Sequence, residues 1–325
     1  MIKEIVTPKL RNPIFIVAWP GMGEVAYKTA LFLRESLRFK MFAKLGTQSF
    51  FKPAAVVVEK GIVELPSIPA GFFYYYRAPQ RSQDIILFLG EAQPPLEKAE
   101  EFAEAIIQYV KKFKVKMLIS FAAKPEPIDH KSDSSVWLAS THTELLERFK
   151  KGRLKILAKG QISGLNGIIL GVAKRFKLKG VCLLGEIPFY TVQIENPKAS
   201  KEILKIVDVL LHLKLDLTPL DERAQFIEEE IDKLISYLKG DSSQEGGGPL
   251  PLSEEDIERI KNDLTTYSKL PQSARENIDS LFIQAEQDIS KAGQLKEELD
   301  RWNVYKEYED RFLDLFKKEK GKGHN

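Results

Sequence analysis

Cysteine is almost missing from this chain: Cys182 is alone among 325 residues. With no second thiol there is no internal disulfide and no cysteine-based metal cage, and nothing points to an oxidising compartment. Cys182 lies in the apolar run Val181 to Leu184, where a small thiol packs as a hydrophobe. Histidine is scarce too, with four residues, His130, His142, His212 and His324, scattered along the chain. Neither H-E-x-x-H nor a G-x-S-x-G nucleophile elbow occurs, so neither a catalytic metal nor a serine nucleophile is expected. His130 stands with Asp129 and Asp133 in a loop that also holds Pro125 and Pro127, an incomplete ligand set. Net charge is low, +3, too little for a nucleic-acid partner. No uninterrupted apolar run reaches the roughly 18 residues of a membrane-spanning helix. The start Met1-Ile2-Lys3-Glu4 lacks a signal-type apolar region, so a cytoplasmic location is expected.

What the chain does contain is a large apolar complement, 43% of residues, beside 29% charged ones. That is enough for a sizeable core, and the length suits one large and one small domain. Compact apolar runs alternate with amphipathic stretches as far as Leu238. Strands are predicted at Ile14 to Trp19, Phe42 to Leu45, Ala54 to Val58, Phe72 to Tyr76, Ile85 to Leu89, Met117 to Phe121, Leu154 to Ala158 and Val181 to Leu184. Helices are predicted at Glu24 to Phe39, Leu96 to Phe113, Trp137 to Phe149, Leu165 to Phe176 and Pro197 to Leu211. Asn196 before Pro197 is a helix start, a side-chain cap followed by proline in the first turn. Most of the strands are apolar on both faces, as expected of a mostly parallel sheet covered on both sides. The predicted fold is α/β, a three-layer α/β/α sandwich with a C-terminal helical extension.

After Asp221 the strands stop. Phe226, Ile227, Glu230, Ile231, Leu234, Ile235 and Leu238 follow helical spacing, and the helix ends at Gly240. Residues 1–240 therefore read as the α/β/α domain, 241–252 as a flexible polar linker and 253–325 as a helical extension opened by Ser253 and three acids. From Pro249 onward 13 lysines and arginines face 17 acids, so the tail is acidic and the rest basic. Its apolar stripe includes Leu281, Phe282, Ile289, Leu299, Trp302 and Tyr305, residues that need a partner. The neighbouring helix, the parent domain, another subunit and a client all qualify.

Gly21-Met22-Gly23-Glu24-Val25-Ala26 fits G-x-G-x-x-A between a strand and a helix, where backbone amides cradle a pyrophosphate. The strand that would supply a ribose-binding acid runs instead into Gly46-Thr47-Gln48. The two glycines equally serve a tight turn. Gly160, Gly164, Gly167 and Gly171 lack the lysine of a P-loop and suit close packing. The aromatic block Phe72 to Tyr76 suits a doubly covered strand or a recognition edge.

Trp19-Pro20-Gly21-Met22-Gly23 leading into Val25-Ala26-Tyr27-Lys28-Thr29-Ala30, then Gly164-Leu165-Asn166-Gly167, Gly180-Val181-Cys182-Leu183-Leu184-Gly185-Glu186-Ile187-Pro188 and Asn196-Pro197-Lys198-Ala199, resemble the proteasome assembly chaperone 2 family, most of all its archaeal members. The resemblance spans roughly residues 10 to 240, in the family's order and spacing. It implies a phosphorylase-like α/β/α fold used for protein binding. It further implies an ATP-independent, non-enzymatic chaperone without a cofactor, which forms homo-oligomers and binds proteasome α-type subunits or a paralogous chaperone. The motif turns Pro20, Gly21, Met22, Gly23, Gly164, Gly167, Pro188, Phe189 and Tyr190 are the candidate interaction sites. Leu281, Phe282, Ile289, Leu299, Trp302 and Tyr305 are the candidate oligomer or partner helix. Many members dock on the proteasome through a hydrophobic-tyrosine-any tail; here the last residues are Gly323-His324-Asn325. The expectation is therefore contact through the folded surface, the helices or a tail-bearing paralogue. The alternative reading is a nucleotide- or nucleoside-binding enzyme that uses the Gly21 to Ala26 turn.

Overall fold

A computed structural model describes residues 2–79, 83–149, 154–239, 272–302 and 304–320. The chain divides into two compact units, the first from residues 1–124, 130–187 and 191–235, the second from 125–129, 188–190 and 236–325.

The first unit is built on a nine-stranded sheet. Its strands are β1 (Ile2–Glu4), β2 (Ile14–Ala18), β3 (Lys40–Leu45), β6 (Gly71–Tyr76), β7 (Ile85–Gly90), β8 (Met117–Glu126), β9 (Val136–Ser140), β10 (Leu154–Ile156) and β11 (Gly180–Pro188), in the order β1-β3-β6-β7-β2-β8-β11-β9-β10. Two further strands, β4 (Val57–Glu59) and β5 (Ile62–Glu64), form a separate two-stranded sheet. The helices are α1 (Val25–Ser36), α2 (Leu96–Lys111), α3 (Thr143–Phe149), α4 (Leu165–Arg175), α5 (Pro197–Leu211) and α6 (Thr218–Lys239).

Apolar runs without alternation have a direct structural cause. In β2, Ile14, Ile16 and Ala18 enter one core with α1, α3 and α5, while Phe15 and Val17 enter the opposite core with α2 and α4. Ile85, Leu87 and Leu89 of β7, and Val181 and Leu183 of β11, divide from Ile86 and Phe88, and from Cys182 and Leu184, in the same way. Successive residues point to opposite faces, so a strand covered on both must be apolar throughout. This is the expected three-layer sandwich. Cys182 is buried as expected, and burial pushes its thiol up to about 12.

Three expectations need correction. The sheet is mixed: β2 pairs in parallel with β7 and β8, but β6 is antiparallel to both β3 and β7, and β9 to β11. Residues 137–149 are not one helix. β9 occupies the first part because Val136 and Leu138 fill a sheet position beside β11, and α3 starts only after Thr141, whose hydroxyl accepts from the Gly180 N–H at 2.9 Å. The strand expected at 54–58 is β4, which pairs with β5 and stays outside the main sheet.

In the second unit, α7 (Gln272–Gln287), α8 (Ala292–Arg301) and α9 (Tyr305–Lys320) share a core of Ile278, Phe282, Leu295, Leu299, Trp302 and Phe312. The Glu126 carboxylate pairs with Arg301, and the Trp302 indole N–H donates to Glu298 at 3.0 Å. The linker expected at 241–252, the helix start at Ser253 and the residues Gly323-His324-Asn325 lie outside the described residues.

Candidate binding surface at the carboxyl end of the sheet

β2 and β7 are parallel, and β3 shares their direction through the antiparallel β6. The segments that follow these three strands therefore emerge at one end of the sheet. They are the turn from Trp19 to Glu24, the loop after Gly90 and the long connection from Gly46 to Ala70. Open α/β sheets hold ligands at the carboxyl ends of their strands, which makes this end the first place to look.

Side-chain amides fill it. Asn166, in the first turn of α4, accepts from the Trp19 N–H through Oδ1 and donates to the Trp19 carbonyl through Nδ2, both at 3.1 Å. Gln93 donates to the Pro20 carbonyl at 2.7 Å and accepts from the Leu165 N–H at 2.7 Å. Two side chains thus tie the turn after β2 to the start of α4. Gly164 has φ +73°, and a Cβ there would stand 2.6 Å from Gln93 Oε1; at Gly167 it would stand 2.1 Å from the Ile162 carbonyl oxygen. Gly167 is required by its close approach to backbone and Gly164 by its positive φ.

The Gly21–Ala26 turn is closed in the same manner. Gly23 has φ +60°, its N–H donates to the Val192 carbonyl at 2.7 Å, and its carbonyl accepts from Asn196 at 2.9 Å. The Glu24 N–H donates to Gly21 at 2.9 Å. Two amides that a bound phosphate would use already have partners. At the start of α1, burial raises the pKa of Glu24, with Lys28 countering that and Glu195 adding to it. Met22 is exposed on this turn.

The structure brings Pro20, Gly21, Met22 and Gly23 together with Gly164 and Gly167, joined by Gln93 and Asn166. Pro188, Phe189 and Tyr190 belong to the second unit. There Phe189 packs edge-on against Tyr190 and Trp302, with centroids 5.6 and 6.0 Å apart. Phe282, Leu299 and Trp302 are buried in that unit's core, and Leu281, Ile289 and Tyr305 pack half-buried around it. The helical stripe is thus covered in large part by its own unit. Elsewhere in the first unit, Asn196 caps α5 as expected, accepting from the Ala199 N–H at 2.9 Å. His130 pairs with Asp232 of α6 at 2.9 Å. Glu186, quoted above only as part of a motif, is a buried hub that accepts from Trp137 Nε1 at 2.6 Å, Lys155 Nζ at 2.9 Å and the Ser135 N–H at 3.2 Å. Burial pushes its pKa up, but these three donors outweigh it and hold the carboxyl below the usual range.

Residues 15–235 match the model of the PAC2 family. The chain belongs to the PAC2 family. The match includes both glycine turns and ends at the residue where the first compact unit ends. Among solved structures, Pyrococcus furiosus PbaB, described as an archaeal proteasome activator, is 30% identical with a TM-score of 0.63, over 72% of this chain and 98% of that one. Pyrococcus furiosus PbaA, described as an archaeal homolog of proteasome-assembly chaperone, is 25% identical with a TM-score of 0.57, over 74% and 93%. An uncharacterized protein of Methanocaldococcus jannaschii is 28% identical over 257 residues, 77% of this chain and 93% of that protein. No helix among the described residues of this PAC2 protein is long and apolar enough to cross a membrane.

Proposed function

We propose that this PAC2 protein is an ATP-independent binding protein of the cytoplasm, which forms a homo-oligomer and captures proteasome α-type subunits or a paralogous chaperone without catalysing a reaction. In this reading residues 1–240 are the binding domain, 241–252 a linker and 253–325 a helical extension. The observation that carries it is the end of the sheet itself. Where an α/β enzyme of this architecture would expose amides to a ligand, Asn166 bonds the Trp19 backbone, Gln93 the Pro20 and Leu165 backbones, and Gly23 those of Val192 and Asn196. A surface whose polar groups are satisfied internally is a firm platform for a protein partner and a poor cradle for a phosphate. The likeness to PbaB and PbaA supports proteasome subunits as the partner class.

The test is binding of the immobilised full-length protein to recombinant α subunits, with and without ATP. Capture of equal strength in both conditions is expected. No capture, or capture that requires ATP, would contradict the reading. The nucleotide alternative has its own check: ATP, AMP and adenosine at millimolar concentration are expected to leave the melting temperature unchanged. A ligand at 100 times its Kd would instead add about 2.7 kcal/mol of stability.

A further inference from the structure

The connection between β3 and β6 carries a hairpin that the sandwich does not use. β4 and β5 pair with Val57 opposite Glu64, Val58 opposite Val63 and Glu59 opposite Ile62. Lys60 and Gly61, both at positive φ (52° and 81°), make the two-residue turn, a geometry that matches the twist of hairpin strands. Every residue of both strands is exposed. The alternation nevertheless divides them into unlike faces. One face carries Val57, Ile62 and the carboxylates of Glu59 and Glu64. The other carries Val58 and Val63 and, one residue beyond each strand, Val56 and Leu65. These four are 60%, 61%, 52% and 73% exposed.

One face thus mixes two carboxylates with two aliphatic side chains while the other is wholly aliphatic, and the wholly aliphatic face is the one suited to cover a core. A two-stranded hairpin in water is marginal by itself and needs such a cover. Among the described residues nothing covers this face, and the geometry points to a second copy of this chain as its cover: two hairpins pack aliphatic face to aliphatic face about a twofold axis. Three features select a second copy over a client protein. First, residues 53–66 hold no aromatic residue and no arginine, the types enriched in interfaces between different proteins, whereas permanent homomeric contacts resemble a core cut in half. Second, the face has no charge, so self-packing buries no unpaired ion, and Glu59 and Glu64 of both copies stay in water. Third, a twofold contact removes the patch twice, bringing the buried area toward the roughly 1,000 Å² at which specific interfaces begin. A patch of this kind on a lone protein is an aggregation site. The inference rests on the self-association part of the proposed function and names its surface.

The test is sedimentation velocity of the full-length protein over a concentration series, together with two double variants. Val58→Lys with Val63→Glu places an ion pair directly across the strands, which preserves the hairpin while charging the aliphatic face. Val57→Thr with Ile62→Thr alters the other face. The expected result is an associating wild type, self-association weakened at least about a hundredfold in the Lys/Glu variant, and wild-type behaviour in the Thr variant. Melting temperatures should be equal for all three monomers, since the altered residues are exposed. A wild type that stays monomeric, or a Lys/Glu variant that associates normally, overturns the inference. So does a Lys/Glu variant that keeps its oligomer but loses α-subunit capture, because the occupant is then the client. Failure of α-subunit capture by every protein, with the hairpin-dependent assembly intact, would count against the proposed client alone.

Discussion

Asn166 and Gln93 do at single-residue scale what the fold needs at the end of β2, supplying partners to a buried peptide group and to two more beside it. Replacing Asn166 by Leu keeps the branched shape and orphans the Trp19 N–H and carbonyl. The expected loss is about 1–3 kcal/mol for each orphaned group, read as a lower urea midpoint at unchanged slope. A loss under about 0.5 kcal/mol would show that the clamp is not needed. Glu186 gives a pH-dependent case. Its pKa is depressed in the folded protein, so its contribution is present above the unfolded value and disappears as pH falls through the folded one. Glu186→Gln should therefore destabilise the protein at pH 7, and the gap to wild type should close below about pH 4. A gap that does not change with pH would refute the assignment. The cap Asn196 was legible in the sequence because it and its target are three residues apart. Gln93 was not, because its partners stand 73 and 72 positions away and only the fold makes them neighbours.

At the scale of elements, β2 and β7 could be read directly, since they have no polar position to blur their outline, whereas β11 was read only over Val181 to Leu184 because Gly185 and Glu186 interrupt its apolar run. The misreading of 137–149 has the converse cause. A five-residue strand and a seven-residue helix, separated by two residues, together mimic one helical period when sheet pairing is unknown. Topology was hidden for a similar reason: apolar runs report coverage and say nothing of direction, so β6, which runs against both β3 and β7, could not be told from a parallel strand. The stripe of α7, α8 and α9 was legible, but its cover was not, because Phe189 reaches that core from far away in sequence. Phe282 is wholly buried there, lies under Arg311 and stacks on Tyr308. Phe282→Ala should cost about 3–5 kcal/mol, seen as faster amide exchange through α7, α8 and α9. Unchanged exchange would mean that these helices do not depend on one core.

For the whole molecule, the sequence motifs, the family match and the filled end of the sheet lead to the same reading. The motifs that carried the resemblance, Trp19 to Gly23, Gly164 to Gly167 and Asn196 to Ala199, all lie within the matched 15–235. Two of them face each other through Gln93 and Asn166, so their co-occurrence reflects one structural joint. The proposed partner rests on kinship, because fold and motif turns do not by themselves name what a surface binds. Under the proposed function this surface serves proteasome assembly. Native mass spectrometry of the full-length protein, mixed without nucleotide with proteasome α subunits from the same source, tests it most directly. Complexes of fixed stoichiometry containing both proteins are expected; α subunits and this protein recorded only as separate species, at concentrations where each is folded, would overturn the proposal.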